Sequence, residues 1–206
     1  MANDKHTTVS TDPASDTQRQ KWNQRYQQAA ATKPAACVLT DNTHLLPSHG
    51  EALDLACGRG SNALLLAGLG LSTQAWDLSD VVINKLQQLA EQQQLPLQAC
   101  CVDLGRQPLP TAAFDVISVS GFLDRALCPA IVAALKSGGL LFYQTHTLAK
   151  VAASGGPSNP DFLLDSGELL QLFSSLQPLV YREEHDCGDL SQGLRNQAYL
   201  VGRKPV

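Results

Sequence analysis

The chain has 206 residues, with 15 Lys and Arg against 19 Asp and Glu and a formal net charge of -4. No basic excess is available to neutralise a phosphate backbone, which argues against nucleic acid as a partner. No uninterrupted apolar run approaches the roughly 20 residues of a membrane span, so no membrane role is expected.

The opening stretch, MANDKHTTVSTDPASDTQRQ, is polar and lacks the apolar segment of a signal peptide. Residues 1–14 read as a disordered leader, low in apolar side chains. A helix follows, with Ser15 as its cap and TQRQKWNQRYQQAAA as its body, ended by Pro34. Trp22 and Tyr26 lie four apart and share one face of it.

Beyond residue 48, short apolar runs alternate with helical patterns. Strands are expected at 51–56, 72–77, 97–103, 114–120 and 139–146, and helices at 61–69, 79–93 and 127–136. This order, with strands buried on both faces, predicts an α/β fold: a Rossmann-like, doubly wound, mostly parallel sheet. The tail breaks the rhythm, since LQPLVYREEHDC and LRNQAYLVGRK flank GDLSQG and read as a C-terminal antiparallel hairpin. With 44% hydrophobic residues, residues 15–206 suffice for one domain, a helical segment at 15–48 and a core at 49–206.

Gly58, Gly60 and Ala63 fit the pattern G-x-G-x-x-G/A after a strand and before a helix, with Asn62 inside it. A tight turn that holds no ligand would look the same. Three carboxylates sharpen the reading: Asp54 lies in the first strand, Asp77 ends the second and Asp103 ends the third. Singly each fits a turn or helix cap. Together they converge at the carboxyl edge of the sheet, where open α/β folds bind ligands, and they point to a nucleoside-containing ligand. Six scattered cysteines without a CxxC pair suit reduced thiols and a cytoplasmic location, and no His, Cys or acid spacing predicts a metal.

At these residues the sequence resembles the class I S-adenosylmethionine-dependent methyltransferases. LDLACGRGSNA resembles their first motif, WDLS the second, VDL and LPTAAFDVISVS the third and fourth, and LKSGGLLFYQTH the segment entering the fifth strand. KWNQRY, FLDRAL and GPSNPDFLLDSGELLQLF further resemble the bacterial tellurite-resistance branch. The resemblance implies a seven-stranded sheet and S-adenosyl-L-methionine as cofactor, with S-adenosyl-L-homocysteine as product. It sets Gly58, Gly60 and Asn62 against the methionine portion, Asp54 near its amino end and Asp77 on the ribose hydroxyls with Leu78 beside the adenine. Asp103 and Leu104 would read the adenine, and Ser118 and Ser120 would border the sulfonium. Trp22 and Tyr26 would close a lid, with Arg25 near the carboxylate. An amphipathic helix packed on the core explains that pair equally. The sequence departs from the branch at Asp124, where His is expected, at Gln144, where an acid is common, and at Ala56, where glycine is common.

Residues after the fourth and fifth strands should face the methyl acceptor: Phe122, Asp124, Arg125, Tyr143, His146 and Asn159. Arg125 can hold an anionic acceptor or make a helix-start ion pair with Asp124. His146 can act as a base or stand by as a hydrogen-bonded neighbour. The segment 147–166 is expected to cover the acceptor pocket. The expected activity is methyl transfer to a small molecule, a chalcogen oxyanion or a thiol, by a monomer or homodimer. A non-catalytic cofactor-binding sensor and a nicotinamide-dependent dehydrogenase are the alternatives.

Overall fold

The computed structural model describes residues 13–28, 33–151 and 156–206. Residues 1–12 of the expected leader, the end of the first expected helix and residues 152–155 of the long loop lie outside these. Seven strands form one sheet in the order β3-β2-β1-β4-β5-β7-β6. β1 (Glu51–Leu55), β2 (Ser72–Asp77), β3 (Leu97–Cys101), β4 (Phe114–Ser120) and β5 (Leu135–His146) are parallel. β6 (Gln177–Glu183) and β7 (Gln197–Arg203) are the expected hairpin, with β7 antiparallel to both β5 and β6.

The apolar runs become strands because both faces of the sheet are covered. Leu53, Leu55, Ile117, Val119, Leu141 and Tyr143 point into one core, and the alternating Ala52, Val116, Phe142 and Val201 into the other. Each large side chain buried this way contributes about 1.5–3 kcal/mol. On α4 (Asp80–Gln92), Val82, Ile83, Leu86 and Ala90 recur at helical spacing and are buried. The short α3 (Ser61–Gly68) follows the glycine loop. No helix among the described residues is long and apolar enough to cross a membrane.

Several elements differ from expectation, among them β5, which begins at Leu135 and not at 139. α1 spans Pro13–Gln28, so Ser15 lies inside the helix; Pro13, with no N–H to satisfy, suits the first position. α5 stops at Ala134 (Cys128–Ala134), because Leu135 already pairs with Phe114 and the register slips between Phe114 and Val116, where Gly138 adopts φ +76°. Two short helices, α2 (Cys37–Thr40) and α6 (Glu168–Leu172), were not anticipated; at four and five residues neither shows a periodicity.

Candidate active site

The loop after β1 is built from left-handed backbone. Ala56 and Gly58 both sit at φ +53° and Gly60 at +77°, so Ala56 takes up a conformation that glycine would hold without strain. The turn is closed by Gly60 N–H on the Cys57 carbonyl at 2.9 Å, and Cys57 N–H reaches Trp76 O at 2.9 Å. A methyl group on Gly60 would stand 2.4 Å from Leu86 Cδ2, so this glycine lets α4 pack. One on Gly58 would stand 3.0 Å from Tyr26 Oη.

The three carboxylates converge as expected. Asp54 is 1% exposed; its Oδ2 accepts the Ala63 N–H at 3.1 Å, while Oδ1 has no partner. Its register neighbour Ser118 is fully buried, and Ser118 Oγ is also without a partner. Burial raises the Asp54 pKa to about 7, against the pull of Asn62 and the Ala63 N–H. Asp77 accepts Gly58 N–H through Oδ2 at 2.8 Å and Ser79 N–H through Oδ1 at 2.9 Å, and burial again pushes its pKa upward. Asp103 accepts Gly105 N–H at 3.0 Å and the Ser15 hydroxyl at 2.5 Å. Leu78 and Leu104 are half-buried beside Asp77 and Asp103.

α1 runs across this edge. Ser15 bonds Asp103, Asn23 donates to Asp80 at 2.6 Å and accepts from Ser79 Oγ at 2.5 Å, and Tyr26 reaches Gly58. Trp22 and Tyr26 stack with ring centroids 5.7 Å apart, and the Arg25 guanidinium lies 5.2 Å from the Trp22 ring. Burial raises the Tyr26 phenol well above its ordinary range, helped by the Asp77 charge. The helix therefore lies over α4 and the glycine loop, and none of its described residues joins the buried apolar clusters.

The β4 and β5 side is wired differently. Asn62 accepts Ala36 N–H at 2.8 Å and donates to Ser120 Oγ at 2.9 Å. Gln144 accepts Val38 N–H at 2.8 Å and donates to Gln197 Oε1 at 2.5 Å. An amide does both where a carboxylate could only accept, which accounts for Gln144 in place of the acid. Tyr143 is buried and donates to Phe122 O at 2.9 Å, so its hydroxyl serves the core. Asp124 and Asn159 cap short turns through Ala126 N–H and Asp161 N–H. Arg125 does not pair with Asp124: it forks onto Glu168 at 2.6 and 2.9 Å and donates to the carbonyls of Asp161 and Leu163 at 2.7 and 2.9 Å. It thus pins the returning loop to the end of β4. His146 ends β5 with Nδ1 buried and unpartnered, its pKa lowered by burial and then by Lys33.

Sequence reasoning missed Glu168 and the Gln197 partner of Gln144. Both contacts join positions more than 40 residues apart, at 43 and 53, and leave no local signal.

The family model described as "Tellurite resistance protein TehB" matches residues 19–197. "Hemagglutinin 1" of Eikenella corrodens is 30% identical over 141 residues, covering 65% of this chain and 46% of that protein. The Haemophilus influenzae protein named "Probable S-adenosyl-L-methionine-dependent methyltransferase TehB" is 30% identical over 88 residues, 42% of this chain and 31% of its own length. The chain thus spans less than half the length of these curated relatives. The crystal structure of TehB from Haemophilus influenzae shares the fold with a TM-score of 0.68 at 20% identity, covering 89% of this chain and 67% of that one.

Proposed function

The chain belongs to the TehB family, and from that premise we propose that it is an S-adenosyl-L-methionine-dependent methyltransferase acting on a small-molecule acceptor in the cytoplasm. The observation that carries the reading is the buried pair of unpartnered oxygens, Asp54 Oδ1 and Ser118 Oγ, beside a side-chain-free Gly58 and with two further carboxylates on the β2 and β3 side. Buried polar atoms are almost always satisfied, so an orphaned pair at a ligand edge fits a ligand that brings its own donors.

The donor set suits this cofactor. Asp54 and Ser118 would hold an ammonium group. Asp77 keeps lone pairs to accept ribose hydroxyls after binding Gly58 and Ser79, and Asp103 can accept an adenine amino group. Gly58, Gly60 and Asn62 shape the floor, with Leu78 and Leu104 beside the base and Ser120 at the far end. Once bound, S-adenosylmethionine supplies an activated methyl group together with its own leaving group. The protein's part is orientation and exclusion of water: Trp22 and Tyr26 roof the loop while the β4 and β5 ends hold the acceptor in line. A general base is optional for an acceptor that attacks through a lone pair, and His146, its pKa lowered by burial, would be the group to take a proton where one must leave.

Several features favour a small acceptor, a chalcogen oxyanion or a thiol. The family description names tellurite resistance, and aromatic residues make up only 5% of the chain, too few for a stacking platform. The free cysteines suit a reducing compartment.

Calorimetric titration with S-adenosylmethionine, S-adenosylhomocysteine and, as control, NAD tests the reading. Micromolar binding of the adenosyl pair without NAD is expected. Binding of NAD alone would replace the methyltransferase with a dehydrogenase, and adenosyl binding without turnover on an oxyanion and thiol panel would leave a sensor.

A further inference from the structure

The amino-acid end of the proposed cofactor carries two opposite charges, and the orphaned oxygens of Asp54 and Ser118 suit only its ammonium. The carboxylate needs a cation or N–H donors of its own. The family resemblance sets Arg25 there, but Arg25 is exposed and its guanidinium lies over the Trp22 ring. Other arginines of α1 and of the strand ends are engaged: Arg19 with Asp16 at 2.8 Å, Arg106 with Asp103 at 3.5 Å and Arg125 with Glu168 at 2.6 Å.

Arg59 differs from all of these. It stands between Gly58 and Gly60, half-buried, and its guanidinium makes no ion pair or hydrogen bond among the described residues. On one side of it Gly58 lies under Tyr26, whose Oη would stand 3.0 Å from a methyl group there. On the other side α3 begins. Its cap, Gly60, supplies no side-chain bond, so the first N–H groups of the helix have no acceptor within it. Ala63 N–H, one turn in, is held by Asp54 Oδ2 at 3.1 Å, which leaves Asp54 Oδ1 unmet. One turn of chain thus brings together a buried carboxylate with an oxygen to spare, an uncommitted guanidinium and a helix start. Such a turn matches a zwitterion, cation toward Asp54 and anion toward Arg59 and α3.

Resting on the methyltransferase reading, we propose that Arg59 is a specificity-determining residue for the cofactor: its guanidinium holds the carboxylate of the amino-acid end, beside the start of α3. A guanidinium fork meets a carboxylate through parallel N–H···O bonds, a geometry that an ammonium on a flexible stem does not reproduce. The consequence is selection. An adenosyl compound that keeps the amine but lacks the carboxylate leaves Arg59 without its partner and binds weakly. The α-amino acid head is read at both of its charges, and decarboxylated adenosyl amines are turned away.

The test is calorimetric titration of the full chain, at fixed ionic strength, with S-adenosylhomocysteine and with its decarboxylated counterpart S-adenosyl-3-thiopropylamine. The unsubstituted protein should prefer the first by at least about tenfold. Arg59→Gln should weaken S-adenosylhomocysteine by about that factor and leave the amine within about twofold, so that the preference collapses. Arg59→Lys, which keeps the charge without the fork, should restore part of it, and Arg25→Gln should retain it. Unchanged melting temperatures show that the variants are folded. A preference that survives Arg59→Gln overturns the proposal, as does an equal loss of both ligands, which would make Arg59 a support of the loop. A preference that Arg25→Gln abolishes and Arg59→Gln spares moves the seat to α1. Tight binding of both ligands without preference in the unsubstituted protein removes the proposal alone. Binding of neither removes the methyltransferase reading and the proposal together.

Discussion

The two halves of the carboxyl edge of the sheet are built on opposite plans. Around β1 to β3, Asp54 and Asp77 are buried and Asp103 is half-buried, all with lone pairs to spare, and Asp54 Oδ1 lacks a hydrogen-bond partner of its own. At the ends of β4 and β5, most polar side chains tie one piece of chain to another: Asn62 to Ala36, Gln144 to Val38 and Gln197, Arg125 to Glu168. Ser118 and His146 are the exceptions. Unmet polar groups cost stability and persist where something else satisfies them, whereas matched groups hold the frame. This contrast is what the proposed function builds on, with the first half receiving the ligand and the second positioning loops around it.

The sharpest way to break this contrast is through Asp54. Its pKa is raised from 3.8 to about 7, so over that interval the native state holds a proton that the unfolded state releases. Stability is fully present below 3.8 and falls as pH rises through about 7, by up to about 4 kcal/mol at about 1.4 kcal/mol per unit. Denaturation of Asp54→Asn over that range should show most of the slope gone. A small remainder of the same sign is expected from Asp77.

Next comes Asp77→Ala, which strands the Gly58 and Ser79 N–H groups. It should cost about 2–4 kcal/mol in chemical denaturation and weaken adenosyl binding at least tenfold. Wild-type cofactor affinity in this variant would remove Asp77 from the ribose. Gly60→Ala combines a φ of +77° with the Leu86 contact and should cost about 2–3 kcal/mol. Refolding of Leu86 into free space would show as a much smaller loss.

On the other half, Arg125→Ala should leave cofactor affinity unchanged and cost about 1 kcal/mol, since the ion pair is partly exposed. Its signature is faster proteolysis within residues 157–168; an intact loop would mean that Glu168 is not what holds it. The smallest effect belongs to Ser15→Ala, about 0.5–1 kcal/mol. It is read as a change in Trp22 fluorescence in a Trp76→Phe background.

This division also explains what could be read from the sequence. β2 and β4 lie at the expected residues, 72–77 and 114–120, because burial on both faces writes itself as a local apolar run. The gathering of Asp54, Asp77 and Asp103 was legible for a related reason: a parallel sheet brings its strands' carboxyl ends to one edge, and the three acids lie just before, at and just after such ends. The second half was not legible. Arg125 offered Asp124 as a neighbour in sequence, but the fold supplied Glu168, whose carboxylate meets the fork through two oxygens. The clamp by Gln144 depends on Val38, 106 residues away, and on an antiparallel partner strand. Such contacts are decided by tertiary packing, for which a single residue type carries no mark.

The way α1 is attached has a thermal consequence. Its hold on the body includes the bonds from Ser15 and Asn23 and the half-buried Trp22–Tyr26 pair, and none of its described residues belongs to the buried apolar clusters. Detachment would therefore hydrate few hydrocarbon groups, and its heat-capacity change would be small beside that of global unfolding. A helix fastened in this way would lift without a calorimetric peak of its own, and its attached fraction would change gently with temperature while the sheet beneath keeps the usual curved stability profile.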